Sequence, residues 1–149
     1  SRTLHAMKLT MGPVIHVYRG GILEKGNVDG CFEKVDLRNH RFGYHLPRGA
    51  FFISASAEKV SIPSTHLGWV KEAVYDDTLV FMSHANAPYV GPRPVFEGNI
   101  TFENQMFQSG TLHYGMTQSW LCLGRLRTPL DGGEASRYKN QKGATLSRL

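Results

Sequence analysis

A mainly β fold is predicted by two features: short apolar runs cut by sixteen glycines and seven prolines, and one long stretch of alternating oily and polar residues. Helical amphipathicity is nearly absent. The expected architecture is an antiparallel β-sandwich or barrel with at most one or two short helices. At 149 residues, 41% of them hydrophobic, the chain has the size and the oil for a single core.

The first strand candidate is Val14–Tyr18, bounded by Gly12-Pro13 and Gly20-Gly21. The next spans Cys31–Leu37, after turn signals at Gly26-Asn27 and Asp29-Gly30. Phe51–Ser56 follows Pro47-Arg48-Gly49, and Lys59–Ile62 is stopped by Pro63. Thr78–Ser83 leads into the proline-rich loop Ala87–Pro94. From Phe96 to Glu103 the period is two: Phe96, Ile100 and Phe102 alternate with Glu97, Asn99, Thr101 and Glu103, with Gly98 on the apolar side. Such a strand buries one face and wets the other. Thr111–Tyr114 and Gln118–Leu126 complete the set, and the apolar centre of the last places it mid-sheet.

One segment reads as helix. Ser64 is a candidate cap, and Leu67, Val70 and Val74 recur at helical spacing. A second short helix is expected within Glu134–Lys142.

The net charge of +5 is unevenly placed. Residues from Arg125 onward carry +4 of it, so the body is almost neutral. Residues 1–130 are read as one β-rich domain, and 131–149 as a basic C-terminal tail, either a solvated terminus or an arm for nucleic acid, a membrane or an acidic partner. The longest apolar runs are a few residues, such as Ala50–Ile53, too short for a membrane span or a signal peptide. A soluble protein is expected, with its compartment open. Cys31 and Cys122 stand far apart without a CxxC pattern: either two buried free thiols or, outside the cell, one disulfide.

Motifs of nucleophilic catalysis and phosphate-binding glycine loops are absent. Seven histidines occur without an HxH pair, so no metal site is expected. Exposed aromatics beside arginines suit contacts with a partner, which selects Tyr44, Arg48, Tyr89, Arg93, Arg125 and Arg127 as binding candidates. The leading expectation is therefore a non-catalytic binding or assembly protein, for example a structural component of a viral or phage particle. Its partner would be another protein or a second copy, with nucleic acid admitted by the basic tail. A lipocalin-like carrier of an apolar ligand is a further reading.

One constellation suggests chemistry. Tyr18-Arg19-Gly20 ends a strand, Ser54-Ala55-Ser56 lies on another, and Glu97 and Glu103 follow. Their order resembles the Arg, Ser-Thr-Ser and Glu elements of mono-ADP-ribosyltransferase toxins. The resemblance implies an NAD-consuming enzyme. In it Arg19 would hold phosphate, Ser54 and Ser56 would support the nicotinamide pocket, and Glu97 or Glu103 would stabilise an oxocarbenium-like ribose. The family's Glu-x-Glu signature is missing, since Asn99 and Gln105 stand where the second acid belongs. The plainer alternative has Arg19 ending an exposed strand, Ser54 and Ser56 facing solvent, and both glutamates on the wet side of a sheet.

Overall fold

A computed structural model of the chain describes residues 5–72, 80–93, 95–129, 140 and 142–144. Its strands are β1 (His5–Thr10), β2 (Val14–Tyr18), β3 (Phe32–Asp36), β4 (Tyr44–Leu46), β5 (Phe51–Ser61), β6 (His66–Glu72), β7 (Phe81–Ala85), β8 (Tyr89–Val90), β9 (Glu97–Met106), β10 (Gly110–Leu112) and β11 (Thr117–Arg125). Two 3-10 turns, Asp29–Cys31 and Leu37–Asn39, are the only helical elements among the described residues. The fold is mainly β and antiparallel, as the alternation predicts.

Three sheets form. One has the order β3-β2-β5-β9-β7, a second β1-β11-β6-β8, and β10 pairs β4 in a short ribbon. The inner face of the five-stranded sheet meets two covers. Near β6, β8 and β11 it packs Val60, Ile100 and Phe102 against Leu9, Val90 and Leu121 of the four-stranded sheet. Toward the ribbon, Ile15, Val17, Phe52, Phe81 and Met106 pack against Leu46 and Leu112. Side chains fill this space, so the open apolar mouth of a lipocalin-like carrier is not found among the described residues.

The longest pairing joins β5 to β9. Its register runs from Phe51↔Gln105 to Ser61↔Glu97, with a shift between Ala55 and Lys59. Two strand candidates, Phe51–Ser56 and Lys59–Ile62, are thus one bulged strand. The bulge is held by side chains: Ser56 Oγ donates to Glu58 O at 2.7 Å and accepts from Ile100 N at 2.9 Å, while Glu58 accepts from Thr10 N and Oγ1. An extra residue in one strand needs such partners, because its backbone leaves the ladder.

Over its described residues, to Glu72, the helix expected from Ser64 does not form, and Val74 lies outside them. The segment is β6, paired with β11 on one side and β8 on the other. Two ladders satisfy its backbone, and that pairing outweighs a weak local helical pattern containing Gly68 and valines. Gly68 also permits a close approach, since a Cβ there would lie 2.5 Å from Ile62 Cδ1 and 3.2 Å from Leu121 Cδ1. The helix expected within Glu134–Lys142 falls almost wholly outside the described residues. β11 lies between β1 and β6, mid-sheet as expected. Cys31 and Cys122 are both buried and free.

Candidate functional site

The outer face of the five-stranded sheet carries a row of chemically active side chains. Register places Lys34 on β3 opposite His16 on β2, His16 opposite Ile53 on β5, Ile53 opposite Glu103 on β9, and Glu103 opposite His84 on β7. Directly opposed residues on antiparallel strands point to the same side, about 5 Å apart at Cβ. Glu103 and His84 are exposed, whereas Ile53 is only 8% exposed. A carboxylate and an imidazole thus stand side by side beyond an apolar floor.

An aromatic strip borders that row. Tyr18 and Phe32 meet edge to face at 5.6 Å between centroids, and Phe32 meets Phe51 at 6.4 Å. Phe51 stands opposite Gln105, and Gln105 opposite the half-exposed Met82. Where β9 ends, Arg48, Phe107, Gln108 and Ser109 line an open depression. The turn before β5 fixes Arg48 there, because Gly49 N donates to Met106 O at 2.9 Å. From Glu103 to Phe107 the chain advances four residues, or about 13 Å at the usual strand rise.

Behind Glu103, between the sheets, lies a buried polar quartet. Ser54 Oγ donates to Gln118 Oε1 at 2.7 Å, and Gln118 Nε2 donates to Ser83 Oγ at 2.7 Å and to Asn104 Oδ1 at 2.9 Å. Asn104 Nδ2 donates to Ser54 Oγ at 2.9 Å and Phe52 O at 3.2 Å. Ser54, Asn104 and Gln118 are at most 1% exposed. No buried side-chain polar atom among the described residues lacks a partner, so the cluster escapes the penalty of unmet polar groups.

Three described residues of the basic tail, Asn140, Gly143 and Ala144, rest against the same outer face. Asn140 N donates to Glu97 O at 2.5 Å, Gly143 N donates to Asn99 Oδ1 at 3.0 Å, and His16 Nε2 lies 3.1 Å from Ala144 O.

The residues compared with the ADP-ribosyltransferase pattern do not converge. Arg19 lies beyond the end of β2, with Nε donating to Glu33 at 2.6 Å and a terminal nitrogen donating to Tyr44 OH at 2.5 Å. The hydrogen bond to Glu33 holds its guanidinium pKa above the ordinary range. Ser54 and Ser56 point between the sheets and are buried, contrary to the solvent-facing alternative. Glu103 faces the other side of that same sheet. Glu97, nearer the start of β9, pairs with Lys59 at 3.3 Å.

The six binding candidates fall into two groups, Tyr44 and Arg48 on one side and Tyr89, Arg93, Arg125 and Arg127 around β6. Tyr44 is engaged by Arg19, and Arg48 lines the depression. Tyr89 pairs with Trp69 at the edge of the four-stranded sheet, and Arg93 N donates to Ile62 O in the following loop. Arg125 ends β11 opposite His66, and Arg127 follows it. His84 was reachable from sequence by the alternation of Phe81, Ser83 and Ala85 with Met82 and His84; Gln118 gave no sequence signal, since its partners come from three other strands.

No family model matches the chain. Curated proteins do. The chain is 31% identical over 110 residues to a dUMP-forming dCTP deaminase of Mycolicibacterium vanbaalenii, covering 69% of this chain and 57% of that protein. A dUMP-forming dCTP deaminase of Parafrankia is 27% identical over a gapped alignment of 173 positions, covering 95% of this chain and 85% of that protein. A dCTP deaminase of Hamiltonella defensa is 30% identical over 115 residues, covering 71% and 57%. The chain therefore spans little more than half the length of the first and third of these relatives. Among solved structures, a 2'-deoxycytidine 5'-triphosphate deaminase from Agrobacterium tumefaciens superposes with a TM-score of 0.62 at 13% identity, over 81% of this chain and 39% of that one. That likeness is one of fold.

These similarities overturn the expectation of a non-catalytic binding or assembly protein. The relatives are enzymes, and neither the particle component, the NAD-consuming transferase nor the apolar-ligand carrier agrees with them. The outer-face row itself draws its side chains from five strands and leaves no contiguous motif in the sequence. Among the described residues, no helix is long and apolar enough to cross a membrane.

Proposed function

We propose that this chain is a hydrolytic deaminase of a cytosine deoxynucleotide, with dCTP as substrate. The similarity to curated dCTP deaminases supports the reaction class, and one observation supports the place: exposed Glu103 stands opposite exposed His84 on the sheet's outer face.

Hydrolytic deamination adds water to C4 of the pyrimidine and expels the amino group as ammonia. The water must lose a proton as its oxygen bonds to carbon, and the departing nitrogen must gain one. A single carboxylate can accept the first proton and deliver it to the leaving amine, so Glu103 is the proposed proton carrier. His84, with a donor or acceptor on each ring nitrogen, is the proposed partner that orients water or ring. The low aromatic strip of Tyr18, Phe32 and Phe51 offers flat apolar surface for a base. Arg48, Gln108 and Ser109, about 13 Å along β9, supply a guanidinium fork and polar groups for phosphate oxygens.

Self-association belongs to this reading. β7, which carries His84, lies at an edge of its sheet, and Met82 and Phe107 leave apolar surface beside it at 45% and 51% exposure. A second copy covering that edge would shield Glu103 from bulk solvent while leaving room for the one water the reaction consumes.

The test is direct. Purified protein incubated with dCTP should release ammonia and yield a deoxyuridine nucleotide, and Glu103→Gln should stop both while remaining folded. Absence of ammonia release from dCTP, dCDP and dCMP at high protein concentration would remove the proposal.

A further inference from the structure

We infer that Gln118 is a positioning residue for the outer-face site, although it lies on the far side of the sheet and belongs to the other layer. Its amide Nε2 bonds at once to Ser83 Oγ at 2.7 Å and Asn104 Oδ1 at 2.9 Å. Those two residues are themselves register partners across β7 and β9. Ser83 immediately precedes His84, and Asn104 immediately follows Glu103. One nitrogen from β11 therefore ties together the backbone pair next to the pair that carries the proposed chemistry.

The need for such a tie follows from the topology. Among the described residues β7 is an edge strand of five residues whose one ladder is with β9. An edge strand of this length has few hydrogen bonds to hold register, and a one-residue slip would send His84 to the buried face. The inward side chains of β7 are Phe81, Ser83 and Ala85. Oily contacts from Phe81 and Ala85 are non-directional, whereas the Ser83–Gln118 bond requires one geometry. Gln118 is in turn fixed from its other end by Ser54 Oγ on β5. The donors and acceptors are directional throughout: Gln118 Oε1 accepts from Ser54, and Gln118 Nε2 donates to Ser83 and Asn104.

This role rests on the proposed deaminase site for its effect on rate, but the clamp itself is measurable without any activity. Gln118→Met keeps length and removes every bond of the amide. Ser119→Ala serves as the control, because Ser119 is the next residue of β11, is 1% exposed, and donates to Lys71 O at 2.7 Å on the opposite side of its strand. Amide hydrogen exchange on the full chain should show residues 81–85 opening in Gln118→Met at least tenfold faster than the loss of global stability explains, with the β5–β9 ladder protected. Ser119→Ala should leave that strand's protection in step with global stability. In the dCTP assay, Gln118→Met should lower kcat about tenfold or more with KM little changed, and Ser119→Ala should keep kcat. Exchange in β7 that merely follows global stability in Gln118→Met would overturn the inference, whatever the activity. So would kcat preserved in Gln118→Met of an active enzyme. If the wild-type chain deaminates nothing, the deaminase proposal falls while the exchange experiment still decides the clamp. Should Gln118→Met not fold, Ser83→Ala removes one bond of the quartet and is judged by the same two readouts.

Discussion

Glu103 of β9 and His84 of β7 form one cross-strand pair, both exposed, on the face opposite the buried bond between Gln118 and Ser83. Strand alternation makes this arrangement possible: residue n presents chemistry to solvent while residues n−1 and n+1 anchor the strand inside. Removing the chemistry should therefore cost little stability. Glu103→Gln is expected to lower deamination of dCTP by about 100-fold or more while leaving the thermal midpoint almost unchanged. Parallel rate and melting measurements check this; a variant with near-normal turnover assigns the proton carrier elsewhere.

Arg48 should act on phosphate rather than on the ring. Arg48→Ala is expected to raise KM for dCTP about tenfold or more through loss of a charge-assisted contact, and to have far less effect on deoxycytidine. Comparing kcat/KM for the two substrates isolates the contribution. Equal losses on both would place Arg48 outside the phosphate subsite.

Phe102 anchors β9 from within at 1% exposure, in the cluster with Leu9, Val60 and Leu121. Phe102→Ala should destabilise the fold by about 3–5 kcal/mol, the usual cost of a large buried cavity. Denaturant unfolding reports it as a lower midpoint, and a loss below about 1 kcal/mol would contradict the packing.

Gly12 is buried where the chain passes β5, and its N–H donates to Ala55 O at 2.7 Å. A Cβ at this position would stand 2.9 Å from that same backbone oxygen. Because the obstacle is main chain, it cannot swing aside. Gly12→Ala is expected to cost about 1–3 kcal/mol, measured by the same unfolding experiment.

Asp36 offers a pH test. Its carboxylate accepts from Arg38 N at 3.0 Å, Nε at 2.9 Å and Nη2 at 2.7 Å, closing the turn at Leu37–Asn39. The Arg38 side-chain hydrogen bonds, then the bond from its backbone, lower the pKa from 3.8 to about 2. A depressed carboxyl pKa favours the folded state above the unfolded value, and that contribution is lost as pH falls from 3.8 toward about 2. Carbon-detected NMR titration should find the Asp36 midpoint at about 2, well below the ordinary 3.8. Arg38→Ala should return it to the ordinary range.

The fate of individual segments shows what could be read in advance. Val14–Tyr18 forms as expected because turn residues bracket a run of β-branched and aromatic side chains. Residues around Glu103 alternate as expected, and Glu103 is wet. The segment from Ser64 misleads because helical spacing and strand pairing compete over so few residues that only the neighbours β8 and β11 decide. Ser54 and Ser56 mislead for a different reason: small hydroxyl groups look like surface residues until buried acceptors are known.

From the sequence by itself followed the β class, the positions of most turns and the exposure of Glu103. Each depends on side-chain period and backbone preference within a few residues, which are local properties. Tertiary structure alone decided that β7 lies beside β9, that His84 faces Glu103, and that Gln118 reaches from the second layer to Ser83 and Asn104. Those relationships join residues tens of positions apart, and they are selected by packing and hydrogen-bond satisfaction over the whole fold, which no short window of sequence encodes.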